Sequence, residues 1–373
     1  MDVALPPHAR AWLTLARVPR LGPRSLRGLL GRFPDPRALL AATPAELHRR
    51  GLPAALHDHL RSVDRAAVDA DLAWLEQPGR GLLTLACADY PATLQACPDA
   101  PPLLFLAGRR ELLARPCLAI VGSRNPTAGG AALARQFARD LAAAGLAIVS
   151  GLATGIDGAA HAGALAAGGA TLAVTGHGLD HVYPACHAQL AARIARDGLL
   201  LSEFAPGTRP ARGHFPRRNR VISGLSLGVL VVEAAPRSGS LITARLAAEQ
   251  GREVFAIPGS IHNPLARGCH ALLRDGAKLV EEVADVLAEL PPLAAPASPV
   301  VAAAADPREP PAALDRQLLE QLRAGAASID ALVATTALDA ATVAARLLAL
   351  ELSGHVSSDP GGRFSLLPGD WKQ

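Results

Sequence analysis

The stretch CLAIVGSRNPTAGGAALARQFARDLAAAGLAIVSG, residues 117–151, decides the fold class of this chain. It begins and ends with short, β-rich apolar runs, CLAIVG and LAIVSG, and an alanine-rich segment of helical character lies between them. Strands that are apolar along their whole length are buried on both faces, and the helices that alternate with them provide the cover. The stretch therefore predicts part of a parallel sheet in an α/β fold.

Four more apolar runs follow along the chain: ATLAVTG, LLLSEF, LGVLVVEAA and REVFAIPG. Helical stretches such as SLITARLAAEQG separate them. Together the six runs predict a Rossmann-like domain over residues 76–290, with a mostly parallel, doubly wound sheet. Ligands of such folds bind at the carboxyl ends of the strands, so the glycine-bearing loops that follow the runs are the places where a site is expected.

The segment before this domain, residues 1–75, predicts a small all-helical domain. Its apolar residues recur three and four positions apart, with proline and glycine breaks between the helical stretches. Within VPRLGPRSLRGLL, a tight turn at Gly22 resembles a helix-hairpin-helix element, whose amides can meet a phosphate. A plain interaction or packing module of the SAM-like type fits the same pattern, and the sequence leaves both alternatives open.

The segment after the domain predicts a linker and a third domain. Residues 291–311 are dense in proline and alanine and carry little periodic pattern, which predicts a semi-rigid linker. Residues 312–373 then contain three short helical runs followed by a hairpin pattern centred on Pro360, Gly361 and Gly362. That order of elements predicts a winged-helix domain.

Composition narrows the class of protein. The chain has 373 residues, 50% of them hydrophobic, a net charge of +4 and a sequence pI near 9.0, which favours polyanionic partners weakly. Its five cysteines are scattered without a C-x-x-C spacing, which predicts free thiols rather than disulfides or zinc. No signal peptide and no apolar run of membrane length is apparent, so we expect a cytoplasmic protein without a membrane segment.

The loop after the first run, VGSRNPTAGG, is the first candidate site. It leaves its strand at Gly122 and enters a helix near Gly129. Backbone amides and the Ser123 hydroxyl would then face an anion, with the Arg124 guanidinium beside them. The loop has neither the G-x-G-x-x-G nor the G-K-[ST] pattern, which argues against a dinucleotide or ATP site. A purely structural turn is the alternative.

Two further loops carry titratable residues. In SGLATGIDGAAHAGAL, Asp157 precedes His161 by four residues, which suits a proton-transfer pair or, as we favour, a helix cap beside a histidine whose hydrogen bonds are satisfied within the protein. TGHGLDHVYPACH carries His177, Asp180, His181 and His187, a set of side chains that could hold a metal ion. Their spacing matches no familiar zinc pattern, so we predict no bound metal and no cofactor.

The fourth candidate is HFPRRNRVISGLS, residues 214–226, which has no acidic residue nearby in the sequence. No Asp or Glu occurs between Glu203 and Glu233, whereas five arginines do: Arg209, Arg212, Arg217, Arg218 and Arg220. We expect this segment to form a loop near the sheet edge that carries Arg124, where guanidinium groups would suit phosphate oxygens. Nearby aromatic residues are positioned to stack on bases: Phe204, Phe215 and Tyr183. The alternatives are a solvated loop and, for Phe215, a place in the core.

The motifs taken together resemble the DNA-processing protein A (DprA, also called Smf) family. The resemblance runs in order through residues 103–287, in VGSRNPT, SGLATGIDGAAHAGAL, GHGLDHVYP, LLSEFAPGTRP, FPRRNRVISGLS, VVEAAPRSGSLITARLAAEQGREVFAIPGS and NPLARGCHALLRDGA. It implies a single-stranded DNA-binding protein, not an enzyme, that protects incoming DNA in natural transformation and loads a RecA-type recombinase. His270 departs from this pattern, because the family usually has Asn there.

The resemblance also implies which residues contact DNA. The candidates are Gly122, Ser123, Arg124, Phe215, Arg218, Asn219 and Arg220. It further implies a homodimer, for which the apolar Leu272 and Leu273, near the end of the Rossmann-like domain, are the candidate interface.

Two other classes of protein compete with this interpretation. A Rossmann-like nucleotide phosphoribohydrolase would use an acid such as Glu203 or Glu233, but it should show P-G-G-x-G-T where this chain reads AAPRSGSLITA. A transcription factor would bind through the winged helix, yet the expected recognition helix DAATVAARLLALEL carries a single base, Arg346, against Asp339 and Glu351. The winged helix is therefore expected to be a protein-interaction or regulatory module.

Overall fold

A computed structural model describes residues 5–19, 21–33, 35–53, 55–292, 313–336, 338–352, 355–358 and 361–367. Of the predicted linker, residues 291–311, only 291 and 292 lie within the described residues, and Pro360 of the predicted hairpin lies outside them.

Twelve strands are present in the described residues, and they form two sheets. Their bounds are β1 (Arg80–Thr84), β2 (Leu103–Gly108), β3 (Cys117–Val121), β4 (Ala147–Ser150), β5 (Thr171–Thr175), β6 (Leu199–Ser202), β7 (Gly228–Val231), β8 (Glu253–Ala256), β9 (Lys278–Leu279), β10 (Ala327–Ser328), β11 (Val356–Ser358) and β12 (Arg363–Leu366). The large sheet has the order β1-β2-β6-β5-β4-β3-β7-β8-β9, and the small one β10-β12-β11.

Seventeen α-helices accompany the strands in the described residues. They are α1 (Ala9–Ala16), α2 (Pro23–Leu30), α3 (Pro36–Ala41), α4 (Pro44–Arg49), α5 (Ala55–Arg61), α6 (Arg65–Leu75), α7 (Ala92–Gln95), α8 (Ala128–Ala143), α9 (Ile156–Ala166), α10 (Ala188–Asp197), α11 (His214–Leu225), α12 (Gly239–Glu249), α13 (Arg267–Arg274), α14 (Val283–Glu289), α15 (Ala313–Arg323), α16 (Ile329–Thr336) and α17 (Ala340–Leu352).

The six apolar runs identified in the sequence are strands β3 to β8, and all of them pair in parallel. The prediction of a Rossmann-like, mostly parallel sheet is therefore confirmed. Three strands had not been predicted: β9 extends the sheet at one edge in parallel, whereas β1 and β2 extend the other edge in antiparallel orientation.

The apolar strands are buried on both faces because their side chains alternate between two cores. In β3, Ala119 and Val121 belong to one cluster, whereas Leu118 and Ile120 belong to the cluster on the opposite face. All four are at most 3% exposed. Burial on both faces fixes the register of the strands and thereby the positions of the loops at their carboxyl ends.

The chain reverses direction across the sheet at β3. Strands β4, β5 and β6 are added successively on one side of β3, whereas β7 lies on its other side. The loops that follow β3 and β7 therefore leave neighbouring strands in divergent directions, which opens a crevice at the carboxyl edge. A direct bond joins the two loops, because the Ser123 amide donates to the Glu233 carbonyl at 2.6 Å.

The helical and winged-helix parts each contain their own apolar cluster. In the first, Leu15, Leu26, Leu39 and Leu47 are at most 1% exposed. Its last helix, α6, also packs on the sheet, where the rings of Trp74 and Phe105 meet edge to face at 5.9 Å. The predicted N-terminal all-helical and C-terminal winged-helix domains are part of the confirmed fold class, and β11 pairs antiparallel with β12 as the hairpin pattern indicated.

Among the described helices, none is by itself long and apolar enough to cross a bilayer. Two helical stretches, Ile329–Thr336 and Ala340–Glu351, meet the length and composition requirement only as a pair, and that pair is bent by 114°.

Candidate functional site

The carboxyl edge of the parallel strands carries unpaired positive charge. Four arginines in the loops that follow β3, β6 and β7 are exposed and have no hydrogen-bonding or ion-pair partner among the described residues: Arg124, Arg209, Arg212 and Arg237. The loops after β3 to β8 contain only three acids. Each of these acids already binds other groups of the protein, so the charge of the arginines is not neutralised locally.

The three acids have identifiable partners. Glu203 lies in ion pairs with Arg220 and Arg217, at 2.5 and 3.0 Å. Asp180 accepts the Gly207 amide at 2.8 Å and lies 3.6 Å from His181. The third acid, Glu233, is 7% exposed and binds the loop after β3, as described below.

The amides of the loop after β3 are mostly satisfied within the protein. Ser123 N donates to the Glu233 carbonyl, Asn125 N to Ser123 Oγ at 3.1 Å, and Thr127 N to the Glu233 carboxylate at 2.8 Å. The prediction that the amides face an anion is therefore wrong for Ser123, Asn125 and Thr127. The Ser123 hydroxyl only accepts a bond here, so its contact with an anion stays a prediction. Arg124 and Asn125 are the exposed residues at the tip of this loop, and of the two only Arg124 is charged.

Gly122 and Gly155 allow two loops to approach each other closely at this point. A Cβ on Gly122 would lie 2.7 Å from Ile156 Cγ1, and one on Gly155 would lie 2.3 Å from the Ser123 carbonyl oxygen. Gly155 also has a φ of 78°, in the region that favours glycine. The two glycines therefore serve packing, which keeps Arg124 at a defined place on the edge.

The Glu233 carboxylate occupies the N-terminal end of α8. One of its oxygens accepts from Thr127 N and the other from Thr127 Oγ1 at 2.7 Å. A Cβ on Gly130, in the first turn, would lie 2.4 Å from the carboxyl carbon. A nucleotide phosphate cannot bind at this helix end, because the protein's own anion already occupies it.

The basic segment 214–226 forms helix α11, so the prediction of a loop is wrong. The residues Arg218, Asn219 and Arg220 lie in the part of this helix, residues 218–225, in which every residue is buried, and they are 5%, 9% and 7% exposed. The segment is also not free of acids in space, because Glu203 pairs with Arg220 and Arg217. The absence of Asp and Glu between Glu203 and Glu233 in the sequence therefore did not mean that the arginines of this segment all lack an acidic partner.

Arg218 is held at the centre of the edge by backbone carbonyls. Its guanidinium donates to the Gly151 carbonyl at 2.6 Å and to the Val174 carbonyl. A Cβ on Gly151 would lie 2.3 Å from the guanidinium, so any larger residue there would displace the Arg218 side chain. Burial lowers the pKa of Arg218 to about 10, opposed by the nearby charge of Asp157, so the group stays protonated at neutral pH. The side chain ties the loop after β4 and the end of strand β5 to α11.

Asp157 and His161 do not form a proton-transfer pair. The Asp157 carboxylate accepts the amides of Gly151 and Ala153, at 3.1 and 3.3 Å, and burial raises its pKa against the effect of the Arg218 charge. His161 Nδ1 instead lies 2.7 Å from the Thr171 hydroxyl, and burial lowers its pKa to about 3. The prediction of a helix cap is also wrong, because the N-cap of α9 is Gly155 and the amides that Asp157 binds belong to the loop before this helix.

Two aromatic residues stand beside the exposed arginines. The rings of Phe215 and Tyr183 lie 5.7 Å apart, and the Arg124 guanidinium is 5.5 Å from the Phe215 ring. Tyr183 is 45% exposed and Phe215 is half-buried. Phe204, in contrast, is buried, with His214 stacked on its ring and Arg217 5.3 Å from it. Tyr183 and Phe215 are therefore the rings that can meet a planar ligand.

The sequence analysis missed Arg237. It follows the apolar run LGVLVVEAA just as Arg124 follows CLAIVG, and this parallel was the available signal. The two proposed interface leucines, Leu272 and Leu273, lie on α13 away from the residues above. Both are half-buried and pack against the apolar cluster that contains Cys269.

The fold and the site define a class: a Rossmann-like protein whose carboxyl-edge loops present exposed arginines and two aromatic rings. A family model described as DNA recombination-mediator protein A matches residues 81–291, and one described as DprA winged helix domain matches residues 302–362. The chain belongs to the DNA recombination-mediator protein A family, which confirms the resemblance seen in the motifs. Members are named for DNA processing rather than for a catalytic reaction.

Relatives and solved structures agree with this assignment. The chain is 41% identical over 323 residues to Protein Smf of Escherichia coli K12, with 86% of each chain covered. It is 37% identical over 385 residues to a putative DNA processing protein DprA of Mycobacterium tuberculosis, covering 97% of this chain and 95% of the relative. The X-ray structure of DprA from Streptococcus pneumoniae matches with a TM-score of 0.68 and 38% identity, over 78% of this chain and 99% of that one.

A structure of DNA processing protein A from Helicobacter pylori, described as giving insight into its unique single-stranded DNA binding mode, also matches. The TM-score is 0.51 and the identity 32%, over 56% of this chain and 94% of that one.

Proposed function

We propose that the protein binds single-stranded DNA along the carboxyl edge of its parallel strands. The observation that carries the proposal is the set of four exposed arginines without described partners, next to the Tyr183 and Phe215 rings, on an edge whose acids are all bound internally. Guanidinium groups bind phosphate oxygens, and aromatic rings stack on bases. The single-stranded DNA binding described for the Helicobacter pylori relative supports the assignment.

A single strand fits this edge better than a duplex. Tyr183 and Phe215 can stack only on bases that have left a duplex stack, and stacking tolerates any base sequence. Helix α17, the expected recognition helix, carries a single arginine, Arg346, which lies 4.0 Å from Asp315, so this helix is poorly equipped for the major groove of a duplex. We therefore expect binding without sequence preference.

The proposed contact residues act in two ways. Arg124 would contact phosphate and Phe215 a base, with Gly122 and Ser123 shaping the loop that carries Arg124. Arg218 and Arg220 are buried and bonded to the protein, so we propose that they position the loops rather than contact DNA in this conformation. Asn219 would do the same, since its amide donates to the Gly239 carbonyl at 3.3 Å.

We further propose a role in natural transformation, in which the cytoplasmic protein protects incoming DNA and loads a RecA-type recombinase. Family membership supports this role.

We also propose a homodimer through Leu272 and Leu273, whose half-buried side chains leave part of their surface to solvent. Light scattering that gives a monomer at tens of micromolar protein would exclude the dimer.

We propose no catalytic turnover. The two acids that a phosphoribohydrolase would use, Glu203 and Glu233, are both buried and bound to other groups of the protein. Incubation with nucleoside monophosphates should release no free base above a buffer blank.

The binding test compares a single-stranded oligonucleotide with its duplex across a salt series. We expect the single strand to bind more tightly at every salt concentration, with a slope of log affinity against log salt of about −0.7 for each phosphate contacted. Arg124→Ala should flatten that slope by about 0.7. The matched control is Arg115→Ala, because Arg115 is also exposed but precedes β3 and so lies at the amino ends of the parallel strands, opposite the carboxyl edge. Equal affinity for single strand and duplex would contradict the proposal.

A further inference from the structure

Arg237 lies across the crevice from Arg124. It belongs to the loop between β7 and α12, and β7 pairs directly with β3, whose loop carries Arg124. Neighbouring strands are about 4.8 Å apart, and the bond from Ser123 N to the Glu233 carbonyl keeps the two loops together at their bases. The two arginines therefore leave the same edge of the sheet on opposite sides of the point where the chain reverses direction.

The Arg237 guanidinium has no acid to neutralise it among the described residues. The only acid in its loop is Glu233, whose carboxylate is buried against Thr127 and lies 3.4 Å from the Asn263 amide. The loop after β8, which lies next to it, contains no Asp or Glu. Arg237 itself is exposed, so its charge faces solvent at the rim of the crevice.

The loop that carries Arg237 is fixed on both sides. On its N-terminal side, Ala234 N donates to the Leu265 carbonyl at 2.6 Å. On its C-terminal side, Ser238 caps α12 by accepting the Ser240 amide, and Asn219 of α11 donates to the Gly239 carbonyl. A side chain on a fixed loop loses less conformational freedom when it binds, which favours a defined contact over a solvated charge.

We propose that Arg237 is a second phosphate contact, which extends the path of the DNA strand across the crevice from the β3 side to the β7 side. The inference rests on the proposed function, because it assumes that a strand lies beside Arg124. The inference adds that the DNA strand continues past Arg124. A short oligonucleotide would reach the Tyr183 and Phe215 rings and Arg124 only, whereas a longer one would also reach Arg237.

The test measures affinity for oligo(dT) of increasing length, from about 4 to 20 nucleotides, at several salt concentrations. Arg237→Ala should bind the shortest oligonucleotides as the unchanged protein does. For the longer ones it should lose about fourfold in affinity at about 0.15 M salt and about eightfold at about 0.05 M, which corresponds to one contact and a slope change of about 0.7.

Two variants make the outcome interpretable. Arg124→Ala should weaken binding at every length, and Arg115→Ala, at the opposite edge, should weaken it at none. If Arg124→Ala weakens binding while Arg237→Ala equals the unchanged protein at all lengths, the extended path is wrong and the proposed function stands. If Arg124→Ala also binds as the unchanged protein does, the edge does not hold DNA, and both the proposed function and the Arg237 contact fail.

Discussion

Replacing Arg218 by alanine distinguishes a buried positioning arginine from a direct phosphate contact. In the structure its guanidinium is 5% exposed and donates to the carbonyls of Gly151 and Val174. Hydrogen bonds to charged groups contribute about 1.5–3 kcal/mol each, and removal of one charged partner from a buried set costs about 3–5 kcal/mol. Asp157 would also lose its nearest compensating charge. We expect the free energy of unfolding to fall by about 3–5 kcal/mol.

The assay is urea unfolding followed by far-ultraviolet circular dichroism. With an m-value of about 3 kcal/mol per M, the midpoint should move down by about 1 M or more. Arg218→Lys keeps the positive charge but not the planar fork, so it should fall between alanine and the unchanged protein. Arg124→Ala is the control: Arg124 is exposed, so its replacement should change stability by no more than about 0.5 kcal/mol.

DNA binding, measured under conditions in which every variant is folded, completes the test. Arg218→Ala should bind single-stranded DNA more weakly because the loop after β4 and the end of β5 lose their common anchor, but its salt slope should equal that of the unchanged protein. An Arg218→Ala protein with an unchanged urea midpoint and a slope flattened by about 0.7 would refute the reasoning, since it would show that the guanidinium binds phosphate.

Three further predictions follow from single contacts. Tyr183→Ala and Phe215→Ala should each weaken single-stranded DNA binding by about 1–3 kcal/mol with no change in salt slope, because a lost stacking contact releases no counterion; a changed slope in an oligonucleotide titration would contradict this. Glu203→Gln leaves the buried Arg220 guanidinium without its carboxylate partner at 2.5 Å, so the free energy of unfolding, measured by heat or urea, should fall by about 3 kcal/mol. An unchanged stability would mean that the Asp99 carboxylate, 3.7 Å from Arg220, is enough to compensate its charge. The pKa of His161 is lowered from 6.5 to about 3 by burial, so the unfolded chain takes up a proton that the folded protein does not. The stability that the neutral imidazole contributes is present above pH 6.5 and falls by about 1.4 kcal/mol per pH unit as the pH decreases from there toward 3. His161→Asn should therefore lose less stability than the unchanged protein between these pH values, and identical unfolding profiles against pH would exclude this role.

The sequence by itself determined the fold class and the edge on which the site lies. Six apolar runs, each followed by a loop, predicted β3 to β8 and their parallel pairing, because a strand that is buried on both faces is apolar along its whole length. That pairing brings the loops after the strands to one edge, so the exposure of Arg124 at this edge followed from its place after the first run. The antiparallel strands β1 and β2 were not predicted, because a short apolar run does not indicate which distant strand it will pair with.

Only the tertiary structure decided which arginines are available to a ligand. Segment 214–226 forms a helix that is buried from residue 218 onward, which brings Arg218 to carbonyls that are 67 and 44 residues away in the chain. It also brings Arg220 to Glu203, 17 residues earlier. A count of charges along the chain cannot detect these pairs, because electrostatic and hydrogen-bonding energies depend on distance in space and on burial, not on separation in sequence. For the same reason, the position of Arg237 across the crevice from Arg124 became apparent only from the pairing of β7 with β3.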